Sequence, residues 1–418
     1  VAVALALAAV WGGLPRSVWA EADGFLTKEG VRLFPIGFYE LPEDEAALEA
    51  MADAGVNLVH CHSRADLDRV QAEGMQGVFP LALQQGATDA LREQVAAVAD
   101  HPALAVWEGP DEVVWNFTAY SGLYRTHGVH KTKGAWWAQA PEAVAYAEEK
   151  AAEIIPNMRA AAALVRELDA LGRPLWINEA QKSDVYYVRQ YLDFVDITGC
   201  DIYPVNETDR SVERVADALT RWHQVGRGRP VYMVLQGFSW HALGDYYGHK
   251  KPAYPSFAES RFMAYDVIAR GARGILYWGS RYLDHEPFRR SLYALTSELA
   301  ALHPFLVAPD APGVTIEIVE MPRETPPQVQ VACRQAGEDW LVILVNEDEV
   351  SHMGVVIEGL GALEGRMMHQ LYGPATAPVL GGEFVARLQP RDVQVFATAR
   401  SWESPNRDGR DFGAEPAE

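Results

Sequence analysis

Cysteine and positive charge are both scarce in this 418-residue sequence. Cys61, Cys200 and Cys333 each lie in an apolar, strand-like run and are far apart, so no disulfide framework is indicated and buried thiols are expected. Lys and Arg number 36 against 57 Asp and Glu, which gives a formal net charge of −21. This charge would repel nucleic acid and anionic membranes, and a neutral substrate is therefore expected.

Long apolar stretches are absent after residue 22. Residues 1–22, VAVALALAAVWGGLPRSVWAEA, contain an apolar run of signal-peptide length and end in Ala20-Glu21-Ala22, which fits the small-x-small cleavage pattern. Glycine and proline interrupt the run before it reaches the roughly 20 residues of a membrane-spanning helix. The sequence predicts a secreted protein or, because disulfides are not indicated, a bacterial periplasmic one. A short membrane anchor is the alternative, and no other membrane association is expected.

From Val31 to His303, strand-like and helix-like runs alternate eight times. The strand-like runs are 31–39, 56–62, 75–83, 103–109, 174–180, 196–205, 230–240 and 274–280. Each precedes a run with apolar residues at helical spacing, and an insertion, residues 114–140, delays the fourth helix. This alternation predicts an α/β protein with a (β/α)8 TIM barrel. The alternative, an open doubly wound sheet, would normally show a glycine-rich turn after its first strand, and none is present.

The pattern changes after Pro304, where short β-rich runs are separated by Gly, Pro and acidic turns. These runs are 315–321, 329–335, 340–347, 353–359, 368–373 and 393–399. These runs predict a small antiparallel, sandwich-like β domain over residues 304–400, behind a barrel that occupies residues 23–303. The last residues, 401–418, combine Gly, Pro and charge with little apolar content, so this tail is expected to be disordered.

The run LAVWEGPDEVVW, residues 104–115, leads from an apolar strand into two adjacent acids, Asp111 and Glu112. Catalytic groups of barrels lie just beyond the carboxyl ends of the strands. Paired acids beside tryptophans suit sugar chemistry, because one carboxyl can protonate a glycosidic oxygen while an indole packs on the apolar face of the sugar. We therefore expect Glu112 to be the general acid and Asp111 its ionised neighbour. The structural alternative is that both acids only open a helix.

Further polar and aromatic residues stand at the predicted carboxyl ends of the other strands. Glu179 or Asp201 could supply a second catalytic carboxylate, and either could instead bind backbone at the rim. The expected substrate-binding residues are Tyr39, His60, His62, Trp107, Trp115, Asn178, Tyr203, Gln236, Trp240 and Trp278. His60 and His62 point to one side of a strand, but no third ligand is indicated, so neither a metal nor another cofactor is expected. The oligomeric state is left open.

The insertion after strand four is crowded with aromatic residues. These are Trp115, Phe117, Tyr120, Tyr124, Trp136 and Trp137. Long loops on a rigid scaffold commonly carry function, so we expect this segment to fold over the barrel mouth and to form one wall of the cleft.

Four runs resemble the barrel-type glycoside hydrolases, and in particular the large clan of retaining β-glycosidases. They are HPALAVWEGPDE (101–112), GCDIYP (199–204), VLQGFSW (234–240) and GARGILYW (271–278). The resemblance implies that Glu112 matches the acid/base of that clan, which follows an Asn, and that Asp111 stands where that Asn would be. The clan carries its nucleophilic Glu at the end of strand seven. Gln236 stands there in this sequence and cannot attack an anomeric carbon.

The run GPDEV (109–113) is also similar to the β-N-acetylhexosaminidases, in which the Asp orients a substrate acetamide that acts as nucleophile. Three functions therefore stay open, all with carbohydrate as the partner. They are an exported glycoside hydrolase with Glu112 as acid, a substrate-assisted enzyme using Asp111 and Glu112, and a barrel that binds glycan without cleaving it. The missing strand-seven Glu favours the third function. The adjacent acids argue against this third function, because a protein that only binds glycan has no need for buried carboxylates, which lower the stability of the fold.

Overall fold

The computed structural model describes residues 19–20, 24–28, 30–120, 134–282, 285–320 and 329–405. Most of the expected signal segment and of the expected disordered tail, as well as Tyr124, lies outside these residues. Trp19–Ala20, Phe25–Lys28 and Val31–Leu33 form a separate antiparallel sheet of three strands. The predicted first strand, 31–39, is therefore divided, and only its second half belongs to the barrel.

Eight parallel strands close into a barrel in chain order, with the last strand pairing with the first. They are β1 (Ile36–Phe38), β2 (Leu58–His60), β3 (Gln76–Pro80), β4 (Leu104–Glu108), β5 (Leu175–Ala180), β6 (Ile197–Asp201), β7 (Val231–Gln236) and β8 (Gly274–Trp278). Closure confirms the predicted (β/α)8 barrel and excludes the open sheet.

A helix follows each barrel strand. These outer helices are α1 (Glu45–Asp53), α2 (Arg64–Ala72), α3 (Asp89–Val98), α4 (Pro141–Leu168), α5 (Val185–Tyr191), α6 (Arg214–Gly226), α7 (Phe257–Ala269) and α8 (Glu286–Ala301). Short helices lie at Val113–Phe117 and His303–Leu306. Side chains that accept backbone N–H groups define where several helices begin, as Ser63 does for α2 and Thr88 for α3. At α7, Ser256 and Glu259 form the capping box that their spacing predicts.

Side chains alternate between the inside of the barrel and the helical layer. Leu58, Trp176 and Tyr232 pack together in the interior, whereas Val59 and Ile177 belong to the core beneath the helices. The interior is filled by these side chains, so a ligand site must lie at the mouth, where the strands end.

The C-terminal region is an antiparallel β domain, as the sequence predicts. Its strands are β9 (Thr315–Glu320), β10 (Val329–Ala336), β11 (Asp339–Asn346), β12 (Met353–Glu358), β13 (Met367–Gln370), β14 (Thr376–Pro378), β15 (Phe384–Leu388) and β16 (Val393–Ala397). One sheet has the order β9-β12-β15 and the other the order β10-β11-β16-β13-β14. Leu344 and Ile357, from different sheets, share one apolar core. The domain packs on α7, where Arg334 Nη2 donates to Ile268 O (3.1 Å).

Cys61, Cys200 and Cys333 are buried free thiols, as expected. None of the helices within the described ranges combines the length and the apolar character that crossing a lipid bilayer requires.

Candidate active site

Strand β4 ends in a sharp turn that presents Glu112 at the barrel mouth. Gly109 follows Glu108 and has no space for a side chain, since a Cβ there would lie 2.7 Å from Ile177 Cγ1. Glu112 adopts a left-handed backbone conformation with φ of 49°, and its N–H donates to Asn178 O (3.0 Å). Such a conformation costs a non-glycine residue roughly 1–3 kcal/mol and persists where the surrounding structure fixes it, often at functional sites. The turn therefore gives Glu112 a fixed, strained position.

The carboxyl groups of Glu112 and Asp201 share a hydrogen bond at the mouth. Burial, and then the charges of Asp201 and Asp111, raise the pKa of Glu112 well above its usual range. Burial also raises the pKa of Asp201, to about 8. The shared bond raises the pKa of Glu112 and lowers that of Asp201, so the proton resides on Glu112. Tyr203 donates its hydroxyl to Asp201 Oδ2 (3.2 Å) and supports the ionised form of that acid.

Asp111 lies beside this pair with its side chain exposed at the mouth. Asn178 Nδ2 donates to Asp111 Oδ1 (3.0 Å), and Asn116 Nδ2 donates to Asp111 O (3.1 Å). Asn178 is buried, and its Oδ1 has no hydrogen-bond partner within the described part of the chain. Asp111 is thus oriented from β5 while its carboxylate stays accessible to a ligand.

Glu108, the last residue of β4, forms the buried floor below these acids. Tyr39 donates its hydroxyl to Glu108 Oε1 (3.2 Å), and the ring of His60 lies 4.1 Å from that of Tyr39. His60 Nε2 is 3.2 Å from Glu108 Oε2, but without the angles of a hydrogen bond. Burial raises the pKa of Glu108 well above its usual range and lowers that of His60 to about 3, so both groups are neutral near pH 7. The sequence places Glu108 at the end of the strand that carries the acid motif, but no role was assigned to it from the sequence.

Glu179 is fully buried and binds the protein's own donors. Its carboxylate accepts hydrogen bonds from the N–H groups of Val114 (2.9 Å) and Trp115 (3.4 Å) and from the hydroxyls of Ser183 (2.7 Å) and Tyr191 (2.9 Å). Burial raises its pKa to about 7. Of the two expected roles, these contacts support the structural one. Glu179 holds the short helix Val113–Phe117 and thereby the turn at Glu112, so Asp201 is the acid that pairs with Glu112.

Trp107 corrects an expectation, because it does not face the cleft. It is fully buried on the outer side of β4, packs against Phe79 at 6.0 Å between ring centroids, and donates Nε1–H to Asp169 Oδ2 (2.9 Å). Adjacent strand residues point to opposite faces, so Trp107 faces the helical layer while Glu108 faces inward. The prediction that Trp107 binds substrate is therefore wrong.

Gln236 is also a structural residue. Its Oε1 accepts the N–H of Val205 (2.9 Å), and its Nε2 donates to the carbonyl oxygens of Val205 (2.7 Å) and Phe238 (3.0 Å). The side chain is fully buried, and these bonds occupy both ends of its amide. Gln236 therefore fixes the loop after β6, and the expectation that it contacts substrate is corrected.

His62 lies apart from the acids. Its side chain is exposed, its N–H donates to Asp66 Oδ2 (2.8 Å) at the start of α2, and its ring centroid is 6.5 Å from that of His60. Across the residues that the structure describes, no cluster of three or more His, Cys, Asp or Glu side chains could hold a metal ion.

An aromatic wall lies on the side of the mouth opposite β3 and β4. Tyr203 and Trp278 stack at 5.6 Å with an angle of 27° between their planes, and Trp240 Nε1 donates to Tyr203 O (3.1 Å). Trp240 also contacts Tyr247 at 5.2 Å between ring centroids, and the hydroxyls of Tyr247 and Tyr120 are 3.3 Å apart. The wall therefore connects the loop after β7 with the insertion after β4.

The described aromatic residues of the insertion have different surroundings. Phe117 and Trp136 are buried and pack on Tyr187 of α5, with ring centroids at 5.4 and 6.3 Å, so they are core residues. Trp115 is half-buried, and its ring lies 6.1 Å from that of Trp137, which is 55% exposed. Phe117 and Trp136 therefore do not line the cleft wall that was expected. Tyr120 agrees with that expectation, because its hydroxyl contacts that of Tyr247 in the loop after β7.

No family model matches the sequence, and no curated protein matches it. Among solved structures, AmyP in complex with maltose has a TM-score of 0.50 and 10% identity, over 92% of this chain and 96% of that one. CelM2, a bifunctional glucanase-xylanase from a metagenome library, also has a TM-score of 0.50 and 10% identity, over 87% of this chain and 95% of that one. Glycoside hydrolases are thus among the solved structures that share this fold. At this identity the likeness concerns the fold alone.

Proposed function

We propose that this protein is a glycoside hydrolase that acts on a neutral oligosaccharide or polysaccharide, with Glu112 as its general acid and base. The observation that carries the proposal is the hydrogen-bonded pair of Glu112 and Asp201, in which one proton is held at the barrel mouth beside aromatic side chains. The fold, which a glucanase-xylanase shares, also supports it. A general acid that keeps its proton near neutral pH is what cleavage of a glycosidic bond requires.

In this mechanism Glu112 protonates the glycosidic oxygen as the bond to the anomeric carbon breaks. Asp201, which ionises with a pKa of about 8, lies beside the positive charge that develops on the sugar ring and stabilises it in its ionised form. Water finally attacks the anomeric carbon, and the deprotonated Glu112 accepts the proton of that water. The direct bond between the two acids leaves no room for the water that separates the carboxyls of inverting enzymes by roughly 6.5–9.5 Å. The bond also places the two carboxyls closer than the roughly 5–5.5 Å of retaining enzymes, so Asp201 is proposed as a stabilising acid and not as the nucleophile. The geometry therefore disfavours inversion and does not choose between a retaining and a substrate-assisted reaction.

Side chains around the pair suit a sugar ring. Trp278 and Trp240 offer indole surface to the apolar face of a pyranose, and Tyr203 orders them. On the opposite side, Asn178 Oδ1 and His60 Nε2 are buried without hydrogen-bond partners within the described part of the chain, so sugar hydroxyls would satisfy them. An uncharged, hydroxyl-rich substrate fits both sides of this cleft.

Substrate assistance is the second candidate mechanism. Gln236 stands where the retaining clan carries a nucleophile, and the carboxylate of Glu179 is occupied by internal donors. Asp111 is exposed next to the acid and is oriented by Asn178, which suits the binding of an acetamide group. Hydrolysis of an aryl N-acetylglucosaminide much faster than the matching aryl glucoside would favour this mechanism, and equal rates or the reverse order would exclude it.

The decisive experiment is Glu112→Gln, which keeps the shape of the side chain but removes the transferable proton. Turnover of unactivated glycosides is expected to fall by about two to four orders of magnitude, and a substrate with a very good leaving group should lose much less. Glu49→Gln on α1, an exposed position, is the matched control and should retain full activity. Full activity of the Glu112 variant would refute the assignment. A wild-type protein that binds a glycan but cleaves none on a broad panel would be a glycan-binding barrel instead.

We also propose that the enzyme is exported to the periplasm or the exterior of a bacterial cell. The proposal rests on residues 1–22, with their apolar run and the small residues Ala20 and Ala22. Cell fractionation with N-terminal sequencing of the mature protein tests it. Cytoplasmic material with an intact leader would contradict export.

A further inference from the structure

We propose that Trp115 and Trp137 form a distal sugar-binding surface, which extends the cleft beyond the bond that is cleaved and gives the protein a preference for polymeric substrates. This inference rests on the proposed function, because the surface is assigned to a further unit of the same glycan chain.

The position of Trp115 is fixed relative to the catalytic acid. Glu112 stands immediately before the short helix Val113–Phe117, and Trp115 is its third residue, so the two lie within one helical turn, about 5.4 Å along the axis. The N–H of Trp115 donates to Glu179 Oε2 (3.4 Å), which ties the helix to β5. These contacts place the backbone of Trp115 next to that of Glu112, and we assign its half-buried indole to the edge of the cleft, where a further unit of the bound glycan would meet it.

Trp137 is exposed on a turn that its neighbours hold in place. Trp136 is 5% exposed and anchors the turn on α5, while Gln139 Nε2 donates to Trp136 O (2.7 Å). Ala138 donates its N–H to Gly134 O (2.9 Å). These contacts hold the backbone of the turn in place while the side chain of Trp137 is 55% exposed.

The two indoles together match a carbohydrate rather than another partner. Their planes are inclined at 53° with centroids 6.1 Å apart, so they present an angled apolar surface beside polar ring edges, and this suits a sugar ring that has one apolar face and a rim of hydroxyls. The net charge of −21 disfavours an anionic membrane surface as the occupant. Continuity with Glu112 leaves the next units of the bound glycan as the occupant that we assign.

The test is affinity electrophoresis in gels that contain soluble starch, xylan or mixed-linkage β-glucan, with Glu112→Gln as the background so that no polymer is digested. For the polysaccharide that retards this protein, Trp137→Ala is expected to raise the dissociation constant about three- to tenfold. Trp137→Tyr, which keeps an aromatic face, should restore most of the affinity. Tyr186→Ala is the matched control, because Tyr186 is a comparably exposed aromatic residue (69%) on the neighbouring helix α5.

Each outcome decides the inference separately from the proposed function. If Trp137→Ala binds as the Tyr186 control does, or if none of the three polysaccharides retards the protein, the distal surface is refuted. Hydrolysis by the wild-type enzyme is measured independently, and its loss in Glu112→Gln would still support the catalytic assignment. Conversely, if retardation depends on Trp137 while the wild-type protein hydrolyses no glycan, the result would support the binding surface and refute the proposed enzymatic function.

Discussion

Buried acids occur both where the β domain meets the barrel and at the barrel mouth, but their surroundings differ. At the domain interface, Arg261 Nε donates to Glu298 Oε1 (2.8 Å), and Arg270 Nε lies 3.2 Å from Asp266 Oδ1. Arg270 also bonds Glu347 of the β domain, whose carboxyl shares a hydrogen bond with that of Asp266. Burial and the charge of Glu347 raise the pKa of Asp266, and Arg270 opposes that rise. Glu347 thus joins the β domain to α7, while Glu298 orients Arg261, whose Nη1 donates to Val393 O (2.7 Å) of the β domain.

At the mouth, Glu108 and Asp201 are buried and Glu112 is half-buried, but within the described residues no Arg or Lys forms a salt bridge with any of them. Without a neighbouring cation, burial favours the protonated form, and the pKa of each of these acids is raised. The pKa of Asp266 is raised as well, but Asp266 is fully buried beside Arg270 and Glu347, whereas Glu112 is half-buried at the mouth, where a ligand can reach it. The comparison indicates that access to the protonated acid, and not burial alone, distinguishes the mouth from the domain interface. Variants at Arg270, Asp201 and Trp107 test this comparison, in the order of decreasing expected effect.

The largest effect on stability is expected for Arg270→Met, which leaves Asp266 and Glu347 buried without their cation. Removal of one partner from a buried ion pair typically costs about 3–5 kcal/mol, and the free energy of unfolding should fall by that order. Arg289→Met on α8 is the control, because Arg289 and Glu286 pair on the surface, where an ion pair contributes at most about 1 kcal/mol. Chemical unfolding monitored by circular dichroism measures both variants. Equal losses would show that Arg270 is not the stabilising partner that the comparison requires.

The barrel could be predicted from the sequence because the same pattern of a strand followed by a helix occurs eight times along the chain. The β domain was predicted as well, but β14 and β15 were missed, since both are short and lie near the glycines of residues 381–382. The division of the first predicted strand was missed too, although Pro35 stands between Val31–Leu33 and Ile36–Phe38 and is the local signal that the run is interrupted.

The candidate site could be predicted only as a set of residues at the strand ends. The sequence does not show which of two adjacent strand residues points into the barrel. Barrel strands are apolar on both faces, so apolar and polar residues do not alternate along them. Trp107 was therefore assigned to the cleft although it faces outward, the catalytic and structural roles of Glu179 could not be separated, and the inward Glu108 received no role. The pairing of Glu112 with Asp201 joins residues far apart in sequence, and only the closed barrel brings them together.

A smaller effect, on the pH dependence of activity, is expected for Asp201→Asn. After burial, the charge of Asp201 is the largest influence that raises the pKa of Glu112. Without this charge Glu112 loses its proton at lower pH, and activity falls as pH rises through the pKa of the acid. The alkaline limb of the kcat/KM profile should therefore move to lower pH by about one unit or more, at roughly 1.4 kcal/mol per unit.

The same variant should also change how stability depends on pH. The folded-state pKa of Asp201, about 8, lies above its ordinary value of roughly 4, so its contribution is complete below that value and is lost as pH rises to about 8. Asp201→Asn should lack this loss, whereas Asp245→Asn, at an exposed carboxylate of the loop after β7, should retain it. If the alkaline limb of the kcat/KM profile is unchanged in Asp201→Asn, Glu112 and Asp201 do not share a proton.

The smallest effect is expected for Trp107→Phe, on the outer face of the strand that carries Glu108. Asp169 at this face is paired with Arg173 (2.7 Å) and accepts the indole N–H of Trp107 as an additional bond (2.9 Å). Because Arg173 remains, loss of the indole donor should cost only about 1–2 kcal/mol of unfolding free energy.

Activity is the measurement that distinguishes the two faces of β4. Trp107 touches no group at the mouth in this arrangement, so kcat/KM of Trp107→Phe should equal that of the wild type at a temperature where both are folded. Trp402→Phe provides the comparison, since it removes an indole bond to Asp339 (3.0 Å) in the β domain and should behave alike. A clear rise in KM for Trp107→Phe alone would place this indole in the cleft. It would reverse the assignment of inward and outward faces along β4, and with it the position of Glu108 below Glu112, the proposed acid.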